Sequence, residues 1–199
     1  MAERRILIAA ASRPYPTEVA NGDAWHVDWQ PSGCRIAVID GLGHGPAAAE
    51  AASRARDALV DAPEADPSEA LRRCHGALRG SRGAAVSVIT LDVIDNRLTY
   101  AGVGNVDARL VANGRTVRMP SMRGIVGATL PTLRSFEEAL PPGWILLVHT
   151  DGIKDRFDPE ELPDFDRAEP QRLADSILAS WGRATDDATI VVAAAVSND

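Results

Sequence analysis

The chain has 199 residues, 45% of them hydrophobic and 25% charged, which is the composition of an ordinary globular protein, and its length predicts one domain, residues 1–199. Its formal net charge of -7 argues against a nucleic-acid partner, because binding to a phosphate backbone requires clustered Lys and Arg side chains. No stretch approaches the roughly 20 apolar residues that cross a bilayer. Cys34 and Cys74 form no disulfide framework, so a cytoplasmic protein with no membrane partner is expected.

The first part of the chain is predicted to form three strands and then two helices. Alternating or continuous apolar residues predict strands at 4–11, 23–29 and 34–40. The helices are predicted to begin at Pro46 and Pro67, since proline is well tolerated at the first helical position, and Asp66 is predicted to cap the second. Helical spacing predicts buried faces formed by Ala48, Ala52, Ala55 and Leu59 in the first helix, and by Leu71, Cys74 and Leu78 in the second.

The rest of the chain is predicted to consist mainly of antiparallel strands. Strands are expected at 84–93, 97–103, 106–112, 115–119, 134–140, 144–149 and 189–195, with a helix from Pro170 to Gly182 before the last of them. Segment 120–131 follows neither period and is interpreted as a mobile or substrate-recognition loop, and segment 154–168 is expected to be irregular. All four tryptophans are expected in core or sheet-packing positions. This order predicts an α+β fold with helices on the sheet faces.

Two acidic residues follow predicted buried strands and precede glycines, in Asp40-Gly41 and Asp151-Gly152. Asp23 and Asp186 lie at the ends of two other predicted elements. Carboxylates brought together repel each other and take up protons unless a cation offsets their charge. Because oxygen ligands favour Mg²⁺ or Mn²⁺ over zinc, the sequence predicts a divalent-metal site assembled from four distant segments.

The reaction class that such a site predicts is hydrolysis of a phosphate ester. Two ions roughly 3.5 to 4 Å apart activate a water for attack on phosphorus and offset the charge of the phosphate oxygens. No covalent phosphoenzyme and no Cys or His nucleophile is then required. A nucleotide-binding kinase is an alternative suggested by the glycines of segment 41–45, but their pattern is neither GxGxxG nor GxxxxGK[ST].

Five motifs occur in the order found in a known family. They are Asn21-Gly22-Asp23, Asp40-Gly41-Leu42-Gly43-His44-Gly45, Gly104-Asn105-Val106, Thr150-Asp151-Gly152 and Asp186-Asp187-Ala188-Thr189. With these motifs the whole chain resembles the metal-dependent PP2C-type (PPM) protein phosphatases, above all their short SpoIIE-like bacterial branch and its RsbX-like members. The resemblance implies an α-β-β-α sandwich with two mainly antiparallel sheets, protein-serine/threonine phosphatase activity, and two Mn²⁺ or Mg²⁺ ions at one end of the sheets.

The resemblance also implies roles for individual residues. Asp40 would bridge both ions and the Gly41 carbonyl would join the ligand set, which Asp23, Asp151 and Asp186 would complete, with Asp187 as the alternative to Asp186. His44 is a candidate proton donor or a residue that shapes its loop. Asn105 is a candidate for contact with substrate or for support of the loop near the metals.

The sequence also gives expectations for two further residues and for the partner. Arg13 is a candidate for binding phosphate, and His149 is expected to be a core histidine whose ring nitrogens are satisfied. RsbX-like phosphatases act on phosphorylated STAS-domain regulators of the stressosome, so such a phosphoprotein is the expected partner of a monomeric enzyme. A catalytically silent binding module on the same fold is the alternative.

Overall fold

The structure, a computed structural model, describes residues 4–154 and 168–197. The strands in these residues are β1 (Arg4–Arg13), β2 (Asp23–Gln30), β3 (Gly33–Gly41), β4 (Ala84–Asp92), β5 (Arg97–Val103), β6 (Asp107–Ala112), β7 (Arg115–Arg118), β8 (Phe136–Ala139), β9 (Ile145–His149) and β10 (Ala188–Ser197). The helices are α1 (Pro46–Val60), α2 (Pro67–Ala77) and α3 (Pro170–Trp181).

The strands form two five-stranded sheets in which the paired strands run antiparallel. One sheet has the order β1-β10-β9-β6-β7, and the other has the order β2-β3-β4-β5-β8. Helices α1 and α2 cover the outer face of the second sheet, and α3 covers the outer face of the first. The predicted α+β fold and α-β-β-α sandwich are therefore confirmed.

The core between the sheets is built from alternate strand residues. On β3, Cys34, Ile36 and Val38 point towards the other sheet, whereas Ala37 and Ile39 pack against the helices. Both faces of β3 are covered, which explains why its residues 36–39 are all apolar instead of alternating. Both cysteines are buried and unpaired, and burial raises the pKa of each thiol to about 12, so they serve as core residues.

Helices α1 and α2 begin where the sequence predicts, and the residues predicted for their inner faces are buried against the sheet. Helix α1 starts at Pro46 and buries mainly alanines, whose small side chains allow a close approach to the strands below. Helix α2 is capped by Asp66, whose carboxylate accepts hydrogen bonds from the backbone N–H groups of Ser68 and Glu69 at 2.9 and 3.2 Å. These two helix starts are confirmed.

Some predictions need correction. Trp25 and Trp29 were predicted to pack in the core or on a sheet, but they are 41% and 63% exposed. They are exposed because β2 is an edge strand, so its inward-facing side chains lie at the rim of the sandwich. Segment 120–131 is hydrogen-bonded to the second sheet: Met122 N–H donates to the Gly102 carbonyl at 2.9 Å, and buried Val126 exchanges backbone hydrogen bonds with Ala84. Most of the predicted irregular segment 154–168 lies outside the described residues. In the part of the chain that is described, no helix has both the length and the apolar character needed to span a membrane.

An isoleucine in the core between the sheets should contribute much more to stability than an isoleucine on the surface. Ile36 is fully buried between the sheets, whereas Ile94 is 71% exposed in the β4–β5 turn. We expect Ile36→Ala to lower the free energy of unfolding by about 2–5 kcal/mol, and Ile94→Ala to change it by less than about 0.5 kcal/mol. Urea denaturation of both variants would measure this difference, and similar losses for the two would contradict the assigned core.

Candidate metal centre

The predicted acids lie at one end of the two sheets. Asp23 begins β2 and is the cross-strand partner of Asp40 near the end of β3. Asp151 follows β9 and Asp186 precedes β10, and these strands are antiparallel neighbours, so the end of one lies beside the start of the other. One sheet thus supplies Asp23 and Asp40, and the other supplies Asp151 and Asp186.

A buried threonine joins the two halves of this set. Thr150 Oγ1 donates to Asp23 Oδ2 at 2.7 Å and accepts a hydrogen bond from the Thr189 backbone N–H at 3.0 Å. Because Thr150 directly precedes Asp151, its hydroxyl fixes the acids of one sheet relative to those of the other. The sequence alone does not indicate this role for Thr150, since it shows only that the residue belongs to the Thr150-Asp151-Gly152 motif.

Burial and mutual repulsion make three carboxyl groups of the site, those of Asp40, Asp23 and Asp186, hold protons more strongly than usual. Burial, followed by the charges of the four other acids, raises the pKa of Asp40 to about 8. Burial, reinforced by the charges of Asp187 and Asp186, raises the pKa of Asp23 to about 7 despite the hydrogen bond from Thr150. The pKa of Asp186 is also raised, first by burial and then by the charge of Asp151.

Asp187 is the most buried acid of the set, at 3% exposure. Its Oδ1 accepts a hydrogen bond from the Tyr15 backbone N–H at 2.8 Å, whereas its Oδ2 has no hydrogen-bond partner within the described residues. A Cβ atom at Gly22 would lie 2.6 Å from this oxygen, so only glycine leaves room for it. A buried oxygen without a partner is costly, and a nearby cation or water is the usual way to satisfy it.

The glycines that follow the two central acids are required by close backbone contacts. A Cβ atom on Gly41 would lie 2.2 Å from the Ala48 carbonyl oxygen of α1. A Cβ atom on Gly152 would lie 1.8 Å from the Asp187 carbonyl oxygen. Each glycine therefore lets a neighbouring segment approach the acid beside it, which is the reason for the Asp-Gly pairs that the sequence shows.

The two candidate catalytic side chains lie near the acids but in different surroundings. The Asn105 side-chain Nδ2 donates to Asp151 Oδ2 at 2.6 Å, so Asn105 orients that carboxylate. His44 is half exposed, stacks on the Tyr15 ring with a centroid distance of 4.4 Å, and has its Nδ1 3.4 Å from Glu18 Oε1. Tyr15 and Glu18 had no signal in the sequence, since they lie in a loop with no recognisable motif.

His149 lies beneath the surface in a charged cluster. Its Nδ1 bonds the Thr150 carbonyl at 3.0 Å, its Nε2 faces Arg109 at 3.3 Å, and both side chains are buried. Burial would raise the pKa of the neighbouring Asp107, but its contacts with His149 and Arg109 outweigh this effect and hold that pKa well below its usual range. A core histidine with satisfied ring nitrogens was expected here.

Arg13 is engaged in the fold. Its guanidinium donates to the backbone carbonyl of Arg183, in the turn after α3. This contact orders the segment that leads to Asp186.

A comparison with protein families accounts for this arrangement of motifs. Residues 30–195 match the model of the family described as Stage II sporulation protein E (SpoIIE). The chain belongs to the SpoIIE family. This membership confirms the resemblance to PP2C-type phosphatases, and with it the prediction of a phosphatase.

Individual relatives agree with the family match. The chain is 26% identical over 133 residues to phosphoserine phosphatase RsbX of Bacillus subtilis (strain 168), an alignment that covers 66% of this chain and 67% of RsbX. It is 29% identical to a chain in a solved structure described as "The bacterial stressosome: a modular system that has been adapted to control secondary messenger signaling", with a TM-score of 0.89 and coverage of 95% and 99%. The structure of RsbX in complex with magnesium has the same fold, with a TM-score of 0.80, 20% identity and coverage of 98% and 100%.

The side chains of this SpoIIE-family site fit a hard divalent cation. The set consists of oxygen donors, and two of its carboxyl groups have pKa values raised to about 7 and about 8. Within residues 4–154 and 168–197, no three His, Cys, Asp or Glu side chains are arranged to surround one ion directly. That spacing is compatible with Mg²⁺, which is commonly held by one or two carboxylates and several waters instead of a complete protein cage.

The raised pKa values predict how the metal-free protein responds to pH. Asp23 and Asp40 have pKa values of about 7 and about 8 in the folded state, against an ordinary value of 3.8. Between pH 3.8 and about 8, the folded state therefore binds more protons than the unfolded state. The free energy of unfolding should fall as the pH rises through this range. Thermal unfolding in a chelator at a series of pH values from about 5 to about 8 would measure the effect. Asp40→Asn should show a weaker pH dependence, and a melting temperature that rises with pH in the unsubstituted protein would contradict the prediction.

Proposed function

We propose that this SpoIIE-family phosphatase hydrolyses phosphoserine or phosphothreonine in a protein, in a reaction that requires two Mn²⁺ or Mg²⁺ ions. The observation that supports this proposal is the convergence of Asp23, Asp40, Asp151 and Asp186 at one end of the sandwich. Burial of Asp23 and Asp40, together with repulsion among the four acids, makes their charged forms unfavourable unless a cation offsets the charge.

The proposed ligands follow from the placement of each acid. Asp40 lies in the middle of the set, since its pKa responds to every one of the other acids, and it is therefore the proposed bridge between two ions. The other proposed metal ligands are the Gly41 carbonyl, Asp151, Asp186 and, at the start of β2, Asp23. When bound, the ions supply an activated water and offset the charge of the phosphate oxygens.

Other residues of the chain would hold these ligands in position. Thr150 orients Asp23 and Asn105 orients Asp151, each through a hydrogen bond to one carboxylate oxygen. Such support fixes ligand geometry before the substrate arrives. His44, half exposed and braced by Tyr15 and Glu18, is proposed as a proton donor to the departing serine or threonine oxygen.

The proposed substrate is a phosphorylated STAS-domain regulator of a stressosome. Two similarities support this choice: the relative RsbX is named a phosphoserine phosphatase, and the chain with a TM-score of 0.89 belongs to a structure described as a bacterial stressosome. A cytoplasmic, monomeric enzyme is proposed as well, in keeping with the two buried, unpaired thiols.

Removing either central acid should abolish the metal-dependent reaction. We expect Asp40→Asn and Asp151→Asn to lower kcat/KM on a phosphoserine protein by more than the roughly 10–100-fold typical of an outer-shell metal partner. Phosphate release with and without Mn²⁺ would measure this loss. Asp95→Asn is the matched control, since Asp95 lies exposed in the β4–β5 turn. A full metal-dependent rate in either site variant would disprove the proposed site.

Asp186 and Asp187 can be distinguished by the same conservative replacement. Asp186 is partly exposed and interacts with Asp151, whereas Asp187 is buried and already accepts a hydrogen bond from Tyr15. We expect Asp186→Asn to weaken Mn²⁺ binding at least about tenfold, and Asp187→Asn to retain it, because an amide oxygen still accepts from Tyr15. Calorimetric titration with Mn²⁺ would measure both affinities, and the reverse result would make Asp187 the ligand.

A further inference from the structure

A cleft of about 400 Å³ opens directly beside the proposed metal centre. Asp151 and Asn105 form the side nearest the acids, and the rest of its wall includes Arg118, Ser121 and Arg183. Its volume lies within the roughly 300–1,000 Å³ typical of ligand-binding clefts. A group that occupied this cleft would therefore be next to the phosphate-binding end of the sandwich.

The charge of the cleft differs from that of the chain as a whole. Arg118 and Arg183 line it in a chain whose net charge is -7. The carboxylate of Asp107 also reaches the cleft, but buried Arg109 already binds its Oδ2 through Nε and Nη2 at 2.8 and 2.7 Å. The charge of Asp107 is thus largely offset by Arg109. Asp151, the other acid that lines the cleft, is a proposed metal ligand whose charge bound cations would offset, so Arg118 and Arg183 supply the positive charge of the opening.

The two arginines come from different segments, and each is placed by contacts that connect it to the site. Arg118 ends β7, and its Nη1 lies 3.5 Å from Asp107 Oδ2. The Arg183 backbone N–H donates to the Gly152 carbonyl at 2.7 Å, so this residue is tied to the segment that carries Asp151. The backbone of Arg183 therefore lies beside the segment of the proposed metal ligand.

The opposite wall is fixed in a similar way. Ser121 Oγ donates to the Gly104 carbonyl at 2.8 Å, next to Asn105, which in turn bonds Asp151. The cleft is thus bordered by segments held to one another. Arginines at the rim of such a cleft bind a carboxylate through charge-assisted hydrogen bonds.

We propose that this cleft binds the substrate chain beside its phosphorylated residue and selects an acidic side chain there. This inference rests on the proposed function, because it names a substrate preference of the same site. Arginine suits the role, since its planar guanidinium forms paired hydrogen bonds with a carboxylate. The cleft would distinguish among phosphoproteins, a task that the metal ligands cannot perform because they contact only the phosphate.

The test uses phosphoserine peptides that differ only in carrying Glu, Gln or Lys at one flanking position, examined in turn on both sides. At one or more positions, kcat/KM with Mn²⁺ should be about fivefold higher for Glu than for Gln, and lowest for Lys, and the Glu preference should shrink as salt is added. The Glu-to-Gln ratio should fall towards one in Arg118→Gln and in Arg183→Gln. Arg115→Gln is the matched control, since Arg115 begins β7 and lies outside the cleft.

The outcomes separate this inference from the proposed function. Equal rates for all flanking residues in the unsubstituted enzyme, or a Glu-to-Gln ratio that both arginine variants preserve, would overturn the inference while leaving the phosphatase intact. Failure to release phosphate from any peptide or from a small aryl phosphate would overturn the proposed function itself, and the inference with it.

Discussion

The repulsion between buried carboxyl groups at one end of the sandwich is the interaction on which this structure depends. Asp23 and Asp40 stand opposite each other on neighbouring strands, and burial together with the surrounding acids raises the pKa of both. A globular core of this size tolerates such a cluster because the apolar residues between the sheets and under the helices hold the strands in place. The protein thus maintains a local arrangement that is unfavourable without a cation.

Close backbone contacts complete this arrangement. Gly22, Gly41 and Gly152 each lie where a Cβ atom would meet oxygen at 2.6 Å or less. These contacts crowd three chain segments into a space too small for side chains, so that carbonyl and carboxylate oxygens come together. The Asp-Gly pairs of the sequence are therefore a consequence of packing density as much as of turn formation.

Much of the fold followed from local patterns, since alternation, helical spacing and the caps at Pro46 and Asp66 depend on neighbouring residues only. The convergence of the acid segments was also predictable, because each acid stands at one end of a predicted element and the order of the motifs resembles that of a known family. Contacts between distant segments were not: neither the bond from Thr150 to Asp23 nor the approach of Arg183 to Gly152 has a local signal. The exposure of Trp25 and Trp29 was missed for a related reason: the alternation in β2 shows which side chains share a face, but it does not show that the strand lies at the edge of its sheet.

The division of the acids between the sheets has a consequence for how the molecule folds. Each sheet holds one pair of acids, so a chain with a single completed sheet would carry half of the proposed ligand set. Cation affinity would then appear only when the sheets dock, and binding would stabilise the native state without rescuing a partly folded one. Because of this thermodynamic linkage, the affinity for the cation would depend on the docking of the two sheets. A metal titration would therefore measure the fraction of molecules with complete tertiary structure.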